Sequence, residues 1–171
     1  MKSTFLNSVF VLVLVIASVG AKAQGDIVSV AAGSKDHTTL VAAVKAADLV
    51  ATLQSKGPFT IFAPTNSAFA KLPAGTVENL LKPENKATLS AILTYHVVAG
   101  NLDANAVLAA IKAGQGKAVL TTVNGDKLTA SLDGKNVILT DEKGGIAIVT
   151  ATNLKASNGV VHVIDSVVMP K

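Results

Sequence analysis

Three histidines, His37, His96 and His162, are the residues best suited to acid–base or metal chemistry, and their spacing supplies neither. No His-x-x-x-His or His-Glu-x-x-His pattern occurs, so no helix carries a pair of imidazoles aimed at one metal. His162, Asp165 and Ser166 have the residue types of a hydrolytic triad. On a strand, however, His162 and Ser166 share a face while Asp165 points away. Gly114-Gln115-Gly116-Lys117 has the outline of a phosphate loop. The first glycine of that motif would fall at Ile111, and Ala118 stands where a hydroxyl must hold magnesium. Gly-x-Ser-x-Gly is absent, and with it the usual nucleophile elbow. The chain has no Cys, which removes thiolate chemistry and disulfides. The residues therefore point away from catalysis, and no metal or cofactor is expected.

The elements that would position these residues fall into two halves. Leu40, Val44, Ala47 and Ala51 recur at helical spacing, with Leu49 and Leu53 widening the stripe. Thr38 or Thr39 can cap that helix, and Gly57-Pro58 ends it. A short buried strand is expected over 59–63. Thr76 can cap a short helix over 77–81, and Pro83 suits the first turn of the next. That helix presents Leu89, Ile92, Leu93 and His96 on one face. His96 is thus expected to point inward, hydrogen-bonded; Tyr95 could be core or surface. Asp103 is the expected N-cap of a helix over 104–113, with Leu102 and Val107 as its hydrophobic staple and Gly114 closing it.

Beyond residue 115 the period becomes two. Leu128, Ala130 and Leu132 alternate with Lys127, Thr129 and Ser131, and Asn124-Gly125 separates them from an expected strand over 119–123. Asp133-Gly134, Gly144-Gly145 and Asn158-Gly159 precede further strands over 137–140, 146–150 and 160–169. His162 lies in a run apolar on both sides, which predicts a central strand. Helices first and strands later make the fold class α+β.

Lys2, the apolar run Val9–Ala17 and Ala21-Lys22-Ala23 read as a secretory signal peptide over 1–23. The apolar run is shorter than the roughly 20 residues a membrane span requires. A single mature domain over 24–171 is expected. Removing Lys2 and Lys22 lowers the net charge of +4 by two. All the basic residues are lysines, none adjacent to another, so the clustered charge and arginine forks of a nucleic-acid binder are missing. Hydrophobic residues at 50% argue for a packed core and against disorder.

Three segments together resemble the fasciclin-type domain: Phe59–Phe69 (FTIFAPTNSAF), Tyr95-His96, and Asn158–Pro170 (NGVVHVIDSVVMP). The likeness rests on Thr60, Phe62, Pro64, Thr65, Asn66 and Phe69 in the first box, and on Asn158, Gly159, His162 and Asp165 in the last. Each box also has a folding reason. Phe59, Ile61 and Phe62 suit a buried strand. Thr65 or Asn66 can accept helix N–H groups, Phe69 can plug the core, and Asn158-Gly159 can turn with φ > 0. The resemblance implies a wedge of antiparallel strands beside a layer of helices. It also implies a secreted, non-catalytic adhesion or interaction module, periplasmic or extracellular, whose partner is a cell-surface, matrix or envelope component. Tyr95 and His96 are the positions it marks for contact, set against their structural reading. Carriage of an apolar small molecule such as a carotenoid is the alternative. The chain resembles small single-domain bacterial members, with no Arg-Gly-Asp triplet and no Asn-x-Ser/Thr site.

Overall fold

The computed structural model describes residues 25–171, so the expected signal peptide lies outside the described residues. Seven helices precede or separate the strands among these residues: α1 Ile27–Ala32, α2 Thr38–Ala46, α3 Val50–Leu53, α4 Asn66–Ala70, α5 Thr76–Leu80, α6 Lys86–Tyr95 and α7 Ala104–Ala113. The strands are β1 Phe59–Pro64, β2 Val97–Ala99, β3 Lys117–Thr121, β4 Lys127–Asp133, β5 Asn136–Thr140, β6 Ile146–Ala156 and β7 Gly159–Ile164. They form one sheet in the order β2-β1-β7-β6-β5-β4-β3. A bridge from Val98 to Thr122 and a 2.7 Å bond from the Val123 amide to the Val97 carbonyl bring its two ends together. The sheet therefore curls towards a barrel, with helices packed against one side.

Side-chain chemistry sets the helix starts. The Asp103 carboxylate accepts from the Ala106 amide at 2.8 Å and opens α7, as its position in the sequence predicts. Leu102 and Val107 both pack into the core beside it. The long helix expected over Leu40–Leu53 is instead two. Asp48 adopts φ 56, its amide donates to the Lys45 carbonyl at 3.1 Å, and the Leu49 amide donates to Val44 at 3.0 Å. This is a left-handed C-terminal cap with Asp where Gly is commoner. The apolar stripe continues across the break, which hides it from periodicity.

β1 and β7 divide the interior. Ile61 and Ala63 face a cluster with Leu40, Val44, Phe69 and Leu93. Phe62 and Ile164 face a second cluster with Tyr95, Ile111, Leu128 and Leu139. Both strands are buried on both faces, which requires a run of apolar residues and not an alternating one. Their pairing is parallel, Phe59 opposite Gly159 through Pro64 opposite Ile164, whereas the rest of the sheet is antiparallel. The expected wedge of antiparallel strands is present, with this one parallel pair inside it. Two other boundaries differ. β7 stops at Ile164, because the Val168 amide bonds to His96 and not to a neighbouring strand. β6 runs on to Ala156 through two register shifts; the bulges spoil the alternation that would have marked it.

Candidate functional site

His96 caps the end of α6 and is 2% exposed. Its Nδ1 lies 2.8 Å from the Ile92 carbonyl, and its Nε2 receives the Val168 amide at 3.3 Å. One nitrogen donates and the other accepts, so the ring is neutral. Burial pushes its pKa down to about 4, against the opposing pull of the Ile92 carbonyl and Asp141. Tyr95 is fully enclosed, and its hydroxyl donates to the Lys127 carbonyl at 2.7 Å. Burial raises the phenol to about 12. Both side chains tie the helical layer to the rest of the domain, and neither reaches the surface.

His162 lies on the other side of β1 and β7 from the first cluster, stacked on Phe62 with ring centroids 5.6 Å apart. Its Nε2 donates to the Leu102 carbonyl at 2.7 Å, and its Nδ1 faces the Asn153 amide at 3.4 Å. Thr60 completes this clasp: its hydroxyl donates to the Gly100 carbonyl and accepts from the Leu102 amide, each at 2.8 Å. Asn153, at φ 61 in the bulged part of β6, accepts from the Ala104 amide at 2.8 Å. Three residues from three strands thus fasten the loop that leads into α7.

Two asparagines do similar work elsewhere. Asn158 accepts from the Ile27 amide at 3.0 Å and donates to the Leu53 and Ser55 carbonyls at 2.7 and 3.0 Å. Asn66 accepts from the Thr39 amide at 3.0 Å and donates to the Lys35 carbonyl at 3.0 Å. The cap for α2 therefore comes from Asn66, across the fold, and not from Thr38 or Thr39. Thr65 caps its own helix through the Ala68 amide at 3.2 Å. Pro64 ends β1 inside the core, and Phe69 is buried. Gly159 is not left-handed, contrary to the expected φ > 0 turn. A Cβ there would overlap the Phe59 carbonyl, so close approach of backbones is what excludes a side chain.

The triad and phosphate-loop outlines dissolve on inspection. The Ser166 hydroxyl donates to Asp165 at 3.1 Å, while His162 bonds elsewhere. Asp165 also accepts from the Ile148 amide at 2.8 Å and pairs with Lys71 at 3.1 Å. Partial burial raises its carboxyl, but these partners more than offset that and lower it. In the 114–117 loop the Gln115 and Gly116 amides cap α7 by donating to the Lys112 and Ile111 carbonyls. They are not free to cradle an anion. No group of His, Asp and Glu able to hold a metal occurs among the described residues.

The sequence analysis missed Asp141. This buried carboxylate accepts from the Lys143, Gly145 and Met169 amides at 3.0, 2.6 and 2.9 Å. The Asp-x-x-Gly-Gly turn before β6 was its available signal. His37 was also unassigned: it is buried, and neither ring nitrogen has a hydrogen-bond partner. Two of the cavities differ sharply in character. An apolar one between α1, α2 and β1, of about 30 Å³, is lined by Ile27, Leu40, Val44, Leu53 and Ile61. A polar groove of about 490 Å³, beside the Asn158 turn, is lined by Gln54, Ser55, Lys56, Asn101 and Ser157.

A protein 52% identical over 145 residues, Protein sll1483 of Synechocystis, aligns with 84% of this chain and 73% of its own length. The immunogenic protein MPB70 of Mycobacterium bovis is 38% identical over 159 residues, covering 90% of this chain and 74% of its own. Among solved structures, the domain pair of the insect cell adhesion molecule Fasciclin I superposes with a TM-score of 0.58 at 23% identity, covering 74% of this chain and 42% of that one. The boxes that build the clasps lie within residues 35–170, which match the fasciclin domain as a family, and the chain belongs to that family.

Proposed function

We propose that the protein is a secreted, non-catalytic interaction module that binds a cell-surface, matrix or envelope component. The observation that carries this reading is the internal use of its reactive side chains. Tyr95, His96 and His162 are buried and bonded to backbone groups, so none is presented to a substrate. Asp165 and Ser166 meet each other, Lys71 Nζ lies 3.1 Å from the same hydroxyl, and no histidine faces it. With no serine–histidine pair at a cleft among the described residues, binding is the chemistry left to the surface. The solved domain pair of the same fold belongs to an insect cell adhesion molecule, which agrees with this reading. The apolar-carrier alternative gains nothing from the cavity beneath α1: about 30 Å³ accommodates a water-sized group, not a polyene chain.

The test immobilises mature protein and passes native envelope, matrix and cell-surface fractions over it. Saturable retention of a macromolecule at stoichiometric capacity is expected. Retention that never saturates, or stoichiometric uptake of a solvent-extractable apolar compound instead, would overturn the reading.

A further inference from the structure

Beyond Ile164 the chain runs on without regular secondary structure. Among the described residues, no hydrogen bond between main-chain groups holds 166–171. Side chains hold the segment instead. The Asp165 carboxylate anchors its start: it accepts from the Ile148 amide at 2.8 Å and from the Ser166 hydroxyl at 3.1 Å, and it pairs with Lys71. The next two fastenings take successive amides. Val168 donates to His96 Nε2 at 3.3 Å, and Met169 donates to the Asp141 carboxylate at 2.9 Å. All three acceptors are titratable, and all three accept in their deprotonated form. The apolar hold is smaller. Val168 is buried in the second cluster, and Val167 rests partly buried on the first. Met169 and Pro170 lie beside Ala91 and Ile92 of α6, around an open groove of about 400 Å³.

We propose that residues 166–171 are a strap that acid releases before the rest of the domain unfolds, uncovering Ile92 of α6 and the seat of Val168. Protonation turns His96 Nε2 from an acceptor into a donor, which then opposes the Val168 N–H. A protonated Asp141 loses the charge that strengthens its bond to the Met169 amide. The groups that face this pair do not take over. On the far side of His96, α1, α2 and β1 bring only apolar side chains to the cavity that its ring lines. From α6 comes Tyr95, whose phenol burial pushes up to about 12, so it stays neutral. The turns before β4 and β6 bring Asp126, Glu142 and Lys143. Asp141 itself attracts a charged His96, but burial opposes that charge more strongly. Burial holds the pKa of the closed ring down to about 4, against 6.5 for a free one, so the open strap binds the proton more tightly. Closure is therefore fully favoured above 6.5 and is lost as pH falls through about 4.

The inference does not rest on the adhesion reading, because it is tested on purified protein with no partner present. Amide hydrogen exchange is followed from pH 7 to about pH 4.5, each rate being referred to that of a free peptide at the same pH. Protection of the Val168 and Met169 amides is expected to fall at least about 10-fold over that range. It is expected to stay below that of the β1 and β7 amides at every pH, and to be insensitive to low urea, as a local opening requires. Asp141→Asn keeps an oxygen for the Lys143 and Gly145 amides and sets its NH2 group against Met169. It is expected to free the strap at pH 7 with the core still protected. His96→Gln offers Val168 an acceptor that does not titrate, and is expected to flatten the pH dependence there. The wild-type profile decides even where a variant fails to fold. Strap amides that exchange in step with the core, protection that does not change with pH, native strap protection in Asp141→Asn at pH 7, or an undiminished pH dependence in a folded His96→Gln would each overturn the proposal.

Discussion

The β1/β7 region and the β3–β6 region are built on opposite plans. Around β1 and β7 nearly every polar side chain is committed: Thr60, Asn66, Asn158 and His162 each bond backbone from a distant element. In β3, β4, β5 and the first residues of β6 the polar residues are ordinary strand faces, and the conspicuous feature is the apolar outward surface at Val119 and Ile146. The region richest in recognisable motif is thus the one that assembles the domain. The region with the plainest sequence is the one that keeps large apolar side chains exposed.

The contrast can be broken by mutation. Phe69→Ala removes a ring that fills the first cluster and is expected to cost about 3–5 kcal/mol in urea unfolding. A comparably large loss on truncating Val119 would erase the distinction between the regions.

Acid probes the same contrast without mutation. His96 has a folded pKa of about 4 against 6.5 for a free ring, and burial lowers His37 and His162 in the same direction. Between these pH values the unfolded chain binds more protons, so stability falls as pH falls from about 6.5 to about 4. His96 alone accounts for about 3 kcal/mol of that loss. Chemical denaturation at pH 7 and pH 4.5 measures it, and a flat profile would mean that the buried rings are already charged.

Asn158→Ala strands the Ile27 amide and two carbonyls. It is expected to destabilise by about 1–3 kcal/mol, with hydrogen exchange rising first in α1. At the small end, Val119→Thr keeps a β-branched side chain on an exposed strand face and should change stability by less than about 0.5 kcal/mol.

Much of this was legible in the chain. Asp103 before an apolar helical stripe announced α7, and Asn124-Gly125 announced the β3–β4 turn, because both signals are local. The fasciclin boxes announced the fold. What was illegible depends on distant partners. Asn66 caps a helix that precedes it by many residues, and no spacing rule expresses that. Gly159 looked like a turn glycine, yet its requirement comes from the Phe59 carbonyl on another strand. Asp48 ended a helix inside an unbroken apolar stripe. At the candidate site, the inward placement of His96 followed from periodicity, but Asp141 and Asn153 act through backbone amides that only folding brings near.

The parallel pairing of β1 with β7 has a kinetic consequence. Phe59 meets Gly159 only after all the intervening chain exists, and the central strand pair is the most sequence-distant contact in the sheet. Closing so long a loop carries an entropic cost before any contact compensates it, and such topologies fold slowly. The core on both sides of β1 therefore waits for β7 to arrive. Until then the nascent polypeptide lacks its keystone.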